Sequence, residues 1–282
     1  MNSNKVTFDN IRTRPSNNAT DFQEMYGFLN EHYNADKPII LSIILPLYNE
    51  EKTIRSILED LPRNKSIEII IIDDHSSDNS LNEIRKVDGY DKFKIIRHLA
   101  NRGYGNAIIT GMQYATGDVI VSMDTDGQHS PDDIYNLIKP IFDGKADYTI
   151  GSRYLGSYHY SLPLATRLGE VLIEKFLQFF FGIKIMNNQN GFRAFDKKLI
   201  PLFSDAKFLG YAFCTEQILQ AKLSEHRILE CPIKVYNREY GYSKIILRKL
   251  TLNIFACILI YYLKKFYLNL LKKRKTIKGF LW

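Results

Sequence analysis

Cysteine is scarce in this sequence: three occur among 282 residues, and no two of them form a CxxC pair. A disulfide-stapled secreted fold or a structural zinc site needs more cysteines at closer spacing. We therefore expect free thiols at Cys214, Cys231 and Cys257, a reducing compartment and no structural zinc.

A long uninterrupted apolar run is also absent from the C-terminal region. The apolar stretch 250–263 has 14 residues, whereas a membrane-spanning helix needs about 20. Lysine and arginine flank this stretch on both sides, and a second short apolar piece, 266–271, is followed by KKRK. We predict two amphipathic helices that lie in a membrane interface. The alternative is a core helix followed by a solvated basic tail.

Acidic residues are missing from 240–282, which contains ten lysines or arginines, while the rest of the chain has 28 basic and 31 acidic residues. A weakly acidic body excludes a nucleic-acid surface spread over the whole domain. The cationic tail indicates contact with an anionic membrane lipid surface.

A dinucleotide-binding fingerprint is not present either. The turn NRGYGNAIITG at 101–111 places its glycines at Gly103, Gly105 and Gly111, which is not the GxGxxG spacing. It also follows the third predicted strand rather than the first. A nicotinamide cofactor is therefore excluded.

What the sequence does contain is an alternation of apolar strands and helices. A short amphipathic helix is predicted at about 21–33. Strands are predicted at 38–45, 67–72, 94–97, 119–123 and 148–150, with an edge strand in 228–244. Helices are predicted at about 51–61, 80–87, 131–142 and 211–225, and one opens from the 101–111 turn. Uninterrupted apolar strands of this kind form a parallel sheet that is covered on both faces, in an α/β fold.

Polar clusters follow three of these strands: PLYNE at 46–50, DDHSSD at 73–78 and DTDGQH at 124–129. Ligands bind at the carboxyl ends of parallel strands. Asp124 and Asp126 alternate along the chain and so point the same way. With the amide of Gln128 they offer hard oxygen ligands that suit Mg²⁺ or Mn²⁺ holding a diphosphate. The structural alternative is that these residues only form turns and cap helices.

The clusters, in this order, resemble those of the family 2 glycosyltransferases, and most of all the polyprenyl-phosphate sugar transferases of the dolichol-phosphate mannosyltransferase type. The resemblance covers about residues 40–245 and implies the GT-A fold, a Rossmann-like and mostly parallel sheet flanked by helices. It implies a metal set of Asp124, Asp126 and Gln128, the two acids also being catalytic. It implies a nucleotide-binding set of Pro46, Tyr48, Glu50, Asp73, Asp74 and Gly105. Family members often have a hydrophobic residue where Gly127 stands.

Three motifs in the second half resemble acceptor-side motifs of the family: GSRYLG at 151–156, GFRA at 191–194 and REYGYSK at 238–244. They imply that Arg153, Arg238 and Lys244 act on phosphate as catalytic cations. They also imply that Gln189, Arg193 and Ser243 bind the acceptor; for Arg193, holding its loop is the alternative. Amides stand at 189 and 190, where many members have Asp. A phosphate acceptor already carries negative charge and needs no strong base.

The sequence leaves two interpretations open for residues 162–186 and two for Glu216. Residues 162–186 form either a core helix or an amphipathic helix that touches lipid or a prenyl chain. Glu216 is either solvated, or buried so that it orients a loop arginine or the acceptor.

The expected function is inverting transfer of a hexose from a nucleotide diphosphate-sugar, of the GDP-mannose or UDP-glucose type, to a polyprenyl or dolichyl phosphate. The alternatives are transfer to a glycan or glycolipid hydroxyl, and a membrane-tethered nucleotide-sugar-binding protein. We expect a polar extension with a short helix (1–38), a GT-A domain (39–245) and a basic membrane-associated tail (246–282). The expected location is the cytoplasmic face of a membrane, as a peripheral or monotopic protein. A homo-oligomer is compatible with the sequence.

Overall fold

The computed structural model describes residues 22–33, 36, 38–159, 164–238, 240 and 247–279. The strands in this part are β1 (Leu41–Leu47), β2 (Ile67–Asp73), β3 (Lys94–Arg97), β4 (Val119–Ser122), β5 (Tyr148–Tyr158), β6 (Arg193–Asp196) and β7 (Ile228–Val235). The helices are α1 (Gln23–Glu31), α2 (Ile54–Asp60), α3 (Ser80–Arg85), α4 (Tyr104–Tyr114), α5 (Ile134–Phe142), α6 (Leu164–Phe181), α7 (Ile200–Ser204), α8 (Phe213–Leu223) and α9 (Leu247–Gly279).

One seven-stranded sheet runs through the protein in the order β3-β2-β1-β4-β6-β5-β7. β6 is antiparallel to both of its neighbours, and every other neighbouring pair is parallel. The carboxyl ends of β1, β2 and β4 therefore meet at one edge, where β6 begins. The predicted mostly parallel sheet is confirmed.

Helices cover the sheet on both faces, and each face has its own apolar core. Along β1, Ile43 and Leu45 enter one core, while Ile44 between them enters the other. This alternation is the period-two geometry of a strand. α4 packs so closely on β1 that a Cβ atom on Gly111 would lie 2.4 Å from Ile44 Cγ2. The first core contains α1, α2 and α5, and the second contains α4, α6, α8 and part of α9.

The predicted strands are present, with β7 at the sheet edge as expected. β5 is longer than predicted, and β6 was not predicted at all. The RAFD sequence of β6 carries a charge at each end and has only four residues. It becomes a strand because it pairs with β4 on one side and β5 on the other. The three cysteines are free and buried.

The C-terminal region differs from the prediction of two short helices, because α9 is one continuous helix of 33 residues. By length and composition, its segment Arg248–Leu270 is the one helical segment among the described residues that is long and apolar enough to cross a membrane. Part of this helix packs on the domain, through Ile254, Cys257, Ile258 and Tyr261. A C-terminal apolar helical region is therefore present as predicted, but it is one helix in place of two, with a length that the apolar run alone did not reveal.

Candidate active site

The loops that follow β1 and β2 are tied together by hydrogen bonds at the carboxyl edge of the sheet. The backbone amide of Ser77 donates to Asn49 Oδ1 over 2.7 Å, and the backbone amide of Asn49 donates to Ser76 Oγ over 3.0 Å. The Glu50 amide donates to Ser80 Oγ over 3.0 Å. Asn49 has a positive φ of 54°, which asparagine tolerates better than most residues. PLYNE (46–50) and DDHSSD (73–78) are therefore held together, and we call this pair of loops the ledge.

Asp73 and Asp74 are both buried, and each carboxylate contacts protein groups. Asp73 accepts from the Ser76 amide, and Arg97 Nε lies 3.0 Å from its Oδ2 atom. Asp74 accepts from the backbone amides of residues 102 and 103 over 2.7 and 2.8 Å, and His98 Nδ1 lies 2.7 Å away. Both acids thus hold the loops around the ledge, and their contact with a nucleotide stays a prediction.

The other predicted nucleotide residues lie around the same edge. Tyr48 is partly exposed, and the carbonyl oxygen of Pro46 accepts a hydrogen bond from Thr125 Oγ1 over 2.8 Å. Gly105 lies at the start of α4, where a Cβ atom would meet Leu209 O at 2.8 Å. Glycine is therefore required at position 105, because the Leu209 backbone leaves no room for a side chain there.

The turn after β4, residues 124–129, carries the predicted metal set; we call it the acidic turn. The backbone amide of Gln128 donates to Asp126 Oδ1 over 3.1 Å. The side-chain Nε2 atom of Gln128 donates to Tyr236 O over 3.2 Å. Gly127 has a φ of +80°, so this turn needs a residue that adopts the left-handed region freely. A hydrophobic side chain at this position, common in the family, would be strained here.

Arg238 reaches the acidic turn from the segment that follows β7. Its Nη2 atom lies 2.5 Å from Asp126 Oδ2. Burial opposes the charge of Arg238, but nearby Asp126, Glu50 and Asp124 raise its pKa above the ordinary value. A predicted phosphate-binding cation and a predicted metal-binding acid thus lie in contact. Ser243 and Lys244 lie outside the described residues.

Arg153, in β5, is engaged with buried partners. Its Nε atom donates to Asn187 Oδ1 over 3.1 Å, and its Nη2 atom lies 3.4 Å from Glu170 Oε1 on α6. Glu170 also accepts a hydrogen bond from Tyr154. Burial and the neighbouring Glu170 carboxylate raise the pKa of Tyr154 to about 12. The predicted contact of Arg153 with an acceptor phosphate stays a prediction.

Arg193 is buried at the start of β6 and binds the loop before it. Its Nε atom donates to Asn190 O over 2.5 Å, and its Nη2 atom donates to Asn188 O over 2.8 Å. Its Nη1 atom donates to Cys214 O over 2.8 Å and to the Tyr148 hydroxyl. These contacts favour the loop-holding alternative over contact with phosphate. Gln189, in the same loop, donates to Thr215 Oγ1 over 2.6 Å.

The structure adds residues that the sequence interpretation did not select. A Cβ atom on Gly191 would lie 2.5 Å from Asp124 Oδ1, so a side chain at this position would displace the Asp124 carboxylate. His129 Nε2 lies 3.6 Å from Asp124 Oδ2. Tyr104 and Tyr211 stack with ring centroids 5.6 Å apart. Burial, followed by the charge of Asp124, raises the pKa of Tyr211 to about 12. Tyr104 lies in the predicted 101–111 turn and Tyr211 begins the predicted helix 211–225, but their pairing depends on the fold.

The acidic turn offers oxygen donors of the kind that Mg²⁺ and Mn²⁺ prefer. Asp124 keeps 29% of its side chain exposed. The hydrogen bond from Gln128 Nε2 to Tyr236 fixes the orientation of the Gln128 amide, whose oxygen belongs to the proposed donor set. No group of three or more His, Cys, Asp or Glu residues suited to a metal occurs in the described part of the chain. By their chemistry, the carboxylates of Asp124 and Asp126 and the side-chain oxygen of Gln128 fit such an ion, and a metal at this turn stays a prediction.

Comparisons with known proteins identify the family of this chain. The family model described as Glycosyl transferase family 2 matches residues 42–202. A UDP-N-acetylglucosamine–dolichyl-phosphate N-acetylglucosaminyltransferase of Methanococcus voltae is 33% identical over 228 residues, covering 74% of this chain and 90% of that protein. A dolichol-phosphate mannosyltransferase of Pyrococcus furiosus is 29% identical over 217 residues, covering 73% of this chain and 59% of that protein.

Among solved structures, glucosyl-3-phosphoglycerate synthase from Mycobacterium tuberculosis, in complex with Mn²⁺, UDP and phosphoglyceric acid, has a TM-score of 0.65 and 17% identity. The match covers 88% of this chain and 84% of that one, and it shows the shared GT-A fold. The chain therefore belongs to glycosyltransferase family 2, and it is a glycosyltransferase related to the dolichyl-phosphate sugar transferases.

Proposed function

We propose that this enzyme transfers a sugar, with inversion, from a nucleotide diphosphate-sugar to a polyprenyl or dolichyl phosphate. The observation that carries the proposal is the contact between Arg238 and Asp126. It brings a cation suited to phosphate next to the acids suited to a donor diphosphate. The named activities of the two dolichyl-phosphate relatives support this acceptor class.

On the donor side, Asp124, Asp126 and Gln128 would hold Mg²⁺ or Mn²⁺. When bound, the ion would neutralise charge that develops on the leaving diphosphate. The ledge formed by PLYNE and DDHSSD would hold the nucleotide, with contacts from Tyr48 and Glu50. Asp73, Asp74 and Gly105 would act mainly by shaping this ledge, since each is engaged with protein groups.

On the acceptor side, an oxygen of the prenyl phosphate would attack the anomeric carbon as the bond to the donor diphosphate breaks. Arg238 and Lys244 would orient the anionic phosphate, together with Ser243. Arg153 would join them by exchanging its contact with Glu170 for a phosphate oxygen. Gln189 would lie beside the acceptor, and Arg193 would fix the loop that carries it. A phosphate nucleophile needs no strong base.

The membrane would be reached through α9. One side of this helix is buried on the domain, and the other exposes Leu252, Leu259, Ile260, Leu263 and Phe266. With the cations at 248–249 and 264–265, this surface suits the interface of an anionic bilayer. We propose a GT-A domain at 39–245 and a membrane-associated tail at 246–282, with the cytoplasmic leaflet as the binding face.

The test is a screen of GDP-mannose, UDP-glucose and UDP-N-acetylglucosamine against a polyprenyl phosphate in vesicles, with Mn²⁺ or Mg²⁺ and the purified protein. We expect one donor to give a prenyl-phosphate sugar that is detectable by mass spectrometry. Asp124→Ala should give none. Product with a glycolipid hydroxyl but none with a prenyl phosphate would overturn the acceptor assignment. Donor binding without any turnover would favour a nucleotide-sugar-binding protein.

A further inference from the structure

Glu216, in the first turn of α8, is completely buried, which excludes the solvated interpretation. Its carboxylate accepts from the backbone amides of Lys207 and Phe208, over 2.9 and 2.7 Å. A third donor is the Tyr261 hydroxyl of α9, 2.8 Å from Glu216 Oε1. The described contacts include no arginine. Glu216 therefore joins two segments that are far apart in sequence: the loop between α7 and α8, and the C-terminal helix.

The loop between α7 and α8, residues 205–212, packs on the start of α4 and brings Tyr211 close to the acidic turn. The Leu209 carbonyl lies against the start of α4, where it accepts from the Asn106 amide over 3.3 Å. Tyr211 stacks on Tyr104, and the charges of Asp124, Arg238 and Asp126 all act on its hydroxyl. A shift of the 205–212 loop would therefore move a side chain that lies next to the acidic turn.

The other end of the connection is α9. Cys257, Ile258 and Tyr261 of this helix are buried against the domain, whereas Leu259, Ile260 and Leu263 are exposed. Lys265 Nζ donates to Phe180 O over 2.6 Å at the C-terminal end of α6. The helix that offers an apolar face to lipid is thus the helix that donates to Glu216.

We propose that Glu216 is a positioning residue that couples the seating of α9 on a membrane to the 205–212 loop beside the acidic turn. The proposal rests on the proposed function, since it assumes that the acidic turn binds a nucleotide diphosphate. In this arrangement, membrane-bound enzyme holds its donor more tightly than enzyme free in solution. The polar part of the coupling is the hydrogen bond from Tyr261 to Glu216, which lies beside the apolar packing of α9 on the domain.

The coupling is tested by hydrogen exchange at the Lys207 and Phe208 amides, with and without vesicles that contain phosphatidylglycerol. In the wild type we expect vesicles to slow exchange at these amides by about fivefold or more, the lower end of typical coupling between sites. Tyr261→Phe should exchange faster at both amides and should no longer respond to vesicles. The matched control is Tyr267→Phe, which changes a 61% exposed tyrosine on the same helix and should behave like the wild type.

A second measurement is calorimetric titration of UDP and GDP in the presence of Mn²⁺. Vesicles should tighten nucleotide binding by the wild type and by Tyr267→Phe, but not by Tyr261→Phe. Unchanged exchange at Lys207 and Phe208 on adding vesicles to the wild type would overturn the coupling, whichever variants fold. If the wild type binds neither nucleotide, the proposed function fails, while the exchange experiment still decides whether α9 and the loop are linked.

Discussion

Arg238 Nη2 lies 2.5 Å from Asp126 Oδ2, although β4 and β7, the strands that precede these residues, are separated in the sheet by β6 and β5. The chain after β7 crosses this gap because it pairs with the acidic turn. The Tyr236 amide donates to Gln128 O over 2.8 Å, and Gln128 Nε2 donates back to Tyr236 O. The hydrogen bonds between Tyr236 and Gln128 therefore place Arg238 next to Asp126.

Arg238→Ala should lower kcat/KM by about 100-fold or more, the usual cost of removing one donor that stabilises developing charge. The fold should persist, because Arg238 is on a surface segment and lies outside both cores. Steady-state kinetics with donor and prenyl phosphate would measure the effect. Arg85→Ala, at an exposed arginine of α3, is the matched control and should be neutral. A rate for Arg238→Ala within about threefold of the control would contradict the assignment.

Removal of divalent ions with EDTA should abolish turnover, and added Mn²⁺ or Mg²⁺ should restore it, because the leaving diphosphate would lose the ion that neutralises its developing charge. In Asp124→Asn, the same additions should restore little activity. Thermal unfolding of this variant should stay close to that of the wild type, since Asp124 is partly exposed. Full activity in EDTA would show that the acidic turn works without a metal.

Gly127→Ala should destabilise the protein by about 1–2 kcal/mol, because the φ of +80° places a Cβ atom in the left-handed region. Gly169→Ala supplies a control of opposite sign. Gly169 lies within α6, and a Cβ atom added there would meet no neighbouring group within 4 Å, so alanine should stabilise the helix by about 0.5–1 kcal/mol. Chemical denaturation measures both changes. Equal effects of the two substitutions would mean that the turn relaxes around alanine.

Glu68 should make the protein sensitive to acid. It is buried at the opposite edge of the sheet, where Lys94 Nζ lies 2.5 Å away and the Thr116 amide donates over 2.6 Å. Burial opposes ionisation, but Lys94, Ser42 and Thr116 together lower the pKa of Glu68 below its ordinary 4.5. A lowered folded-state pKa means that this stabilisation is complete above about pH 4.5 and is lost as the pH falls through the folded value.

Denaturation at several pH values should therefore show a shallower acid loss of stability for Glu68→Gln than for the wild type. At neutral pH this variant should be less stable by about 1–3 kcal/mol, the usual cost of breaking a buried hydrogen bond to a charged group. Glu59→Gln removes one acid from an exposed ion pair with Arg55 and should leave the acid slope unchanged. Parallel curves for wild type and Glu68→Gln would contradict the linkage.

Several parts of the fold follow from local sequence. The apolar strands β1, β2 and β4 lie where their continuous hydrophobic runs predicted them, because a strand buried on both faces needs apolar residues at every position. The positions of PLYNE, DDHSSD and DTDGQH after parallel strands were sufficient to predict that the three clusters lie at one edge of the sheet. β6 could not be predicted, since its pairing comes from residues more than 40 positions away.

The sequence by itself determined the α/β class, the family and the acids of the candidate site, because these depend on hydrophobic period and on motifs of a few residues. Only the tertiary structure decided which charges meet. It paired Arg238 with Asp126 and Arg153 with Glu170, and it bonded Arg193 to the loop that precedes β6. It also joined Glu216 to Tyr261 across 45 positions of the chain. A charge finds its partner through packing of the whole chain, and this information is not present in the residues on either side of it.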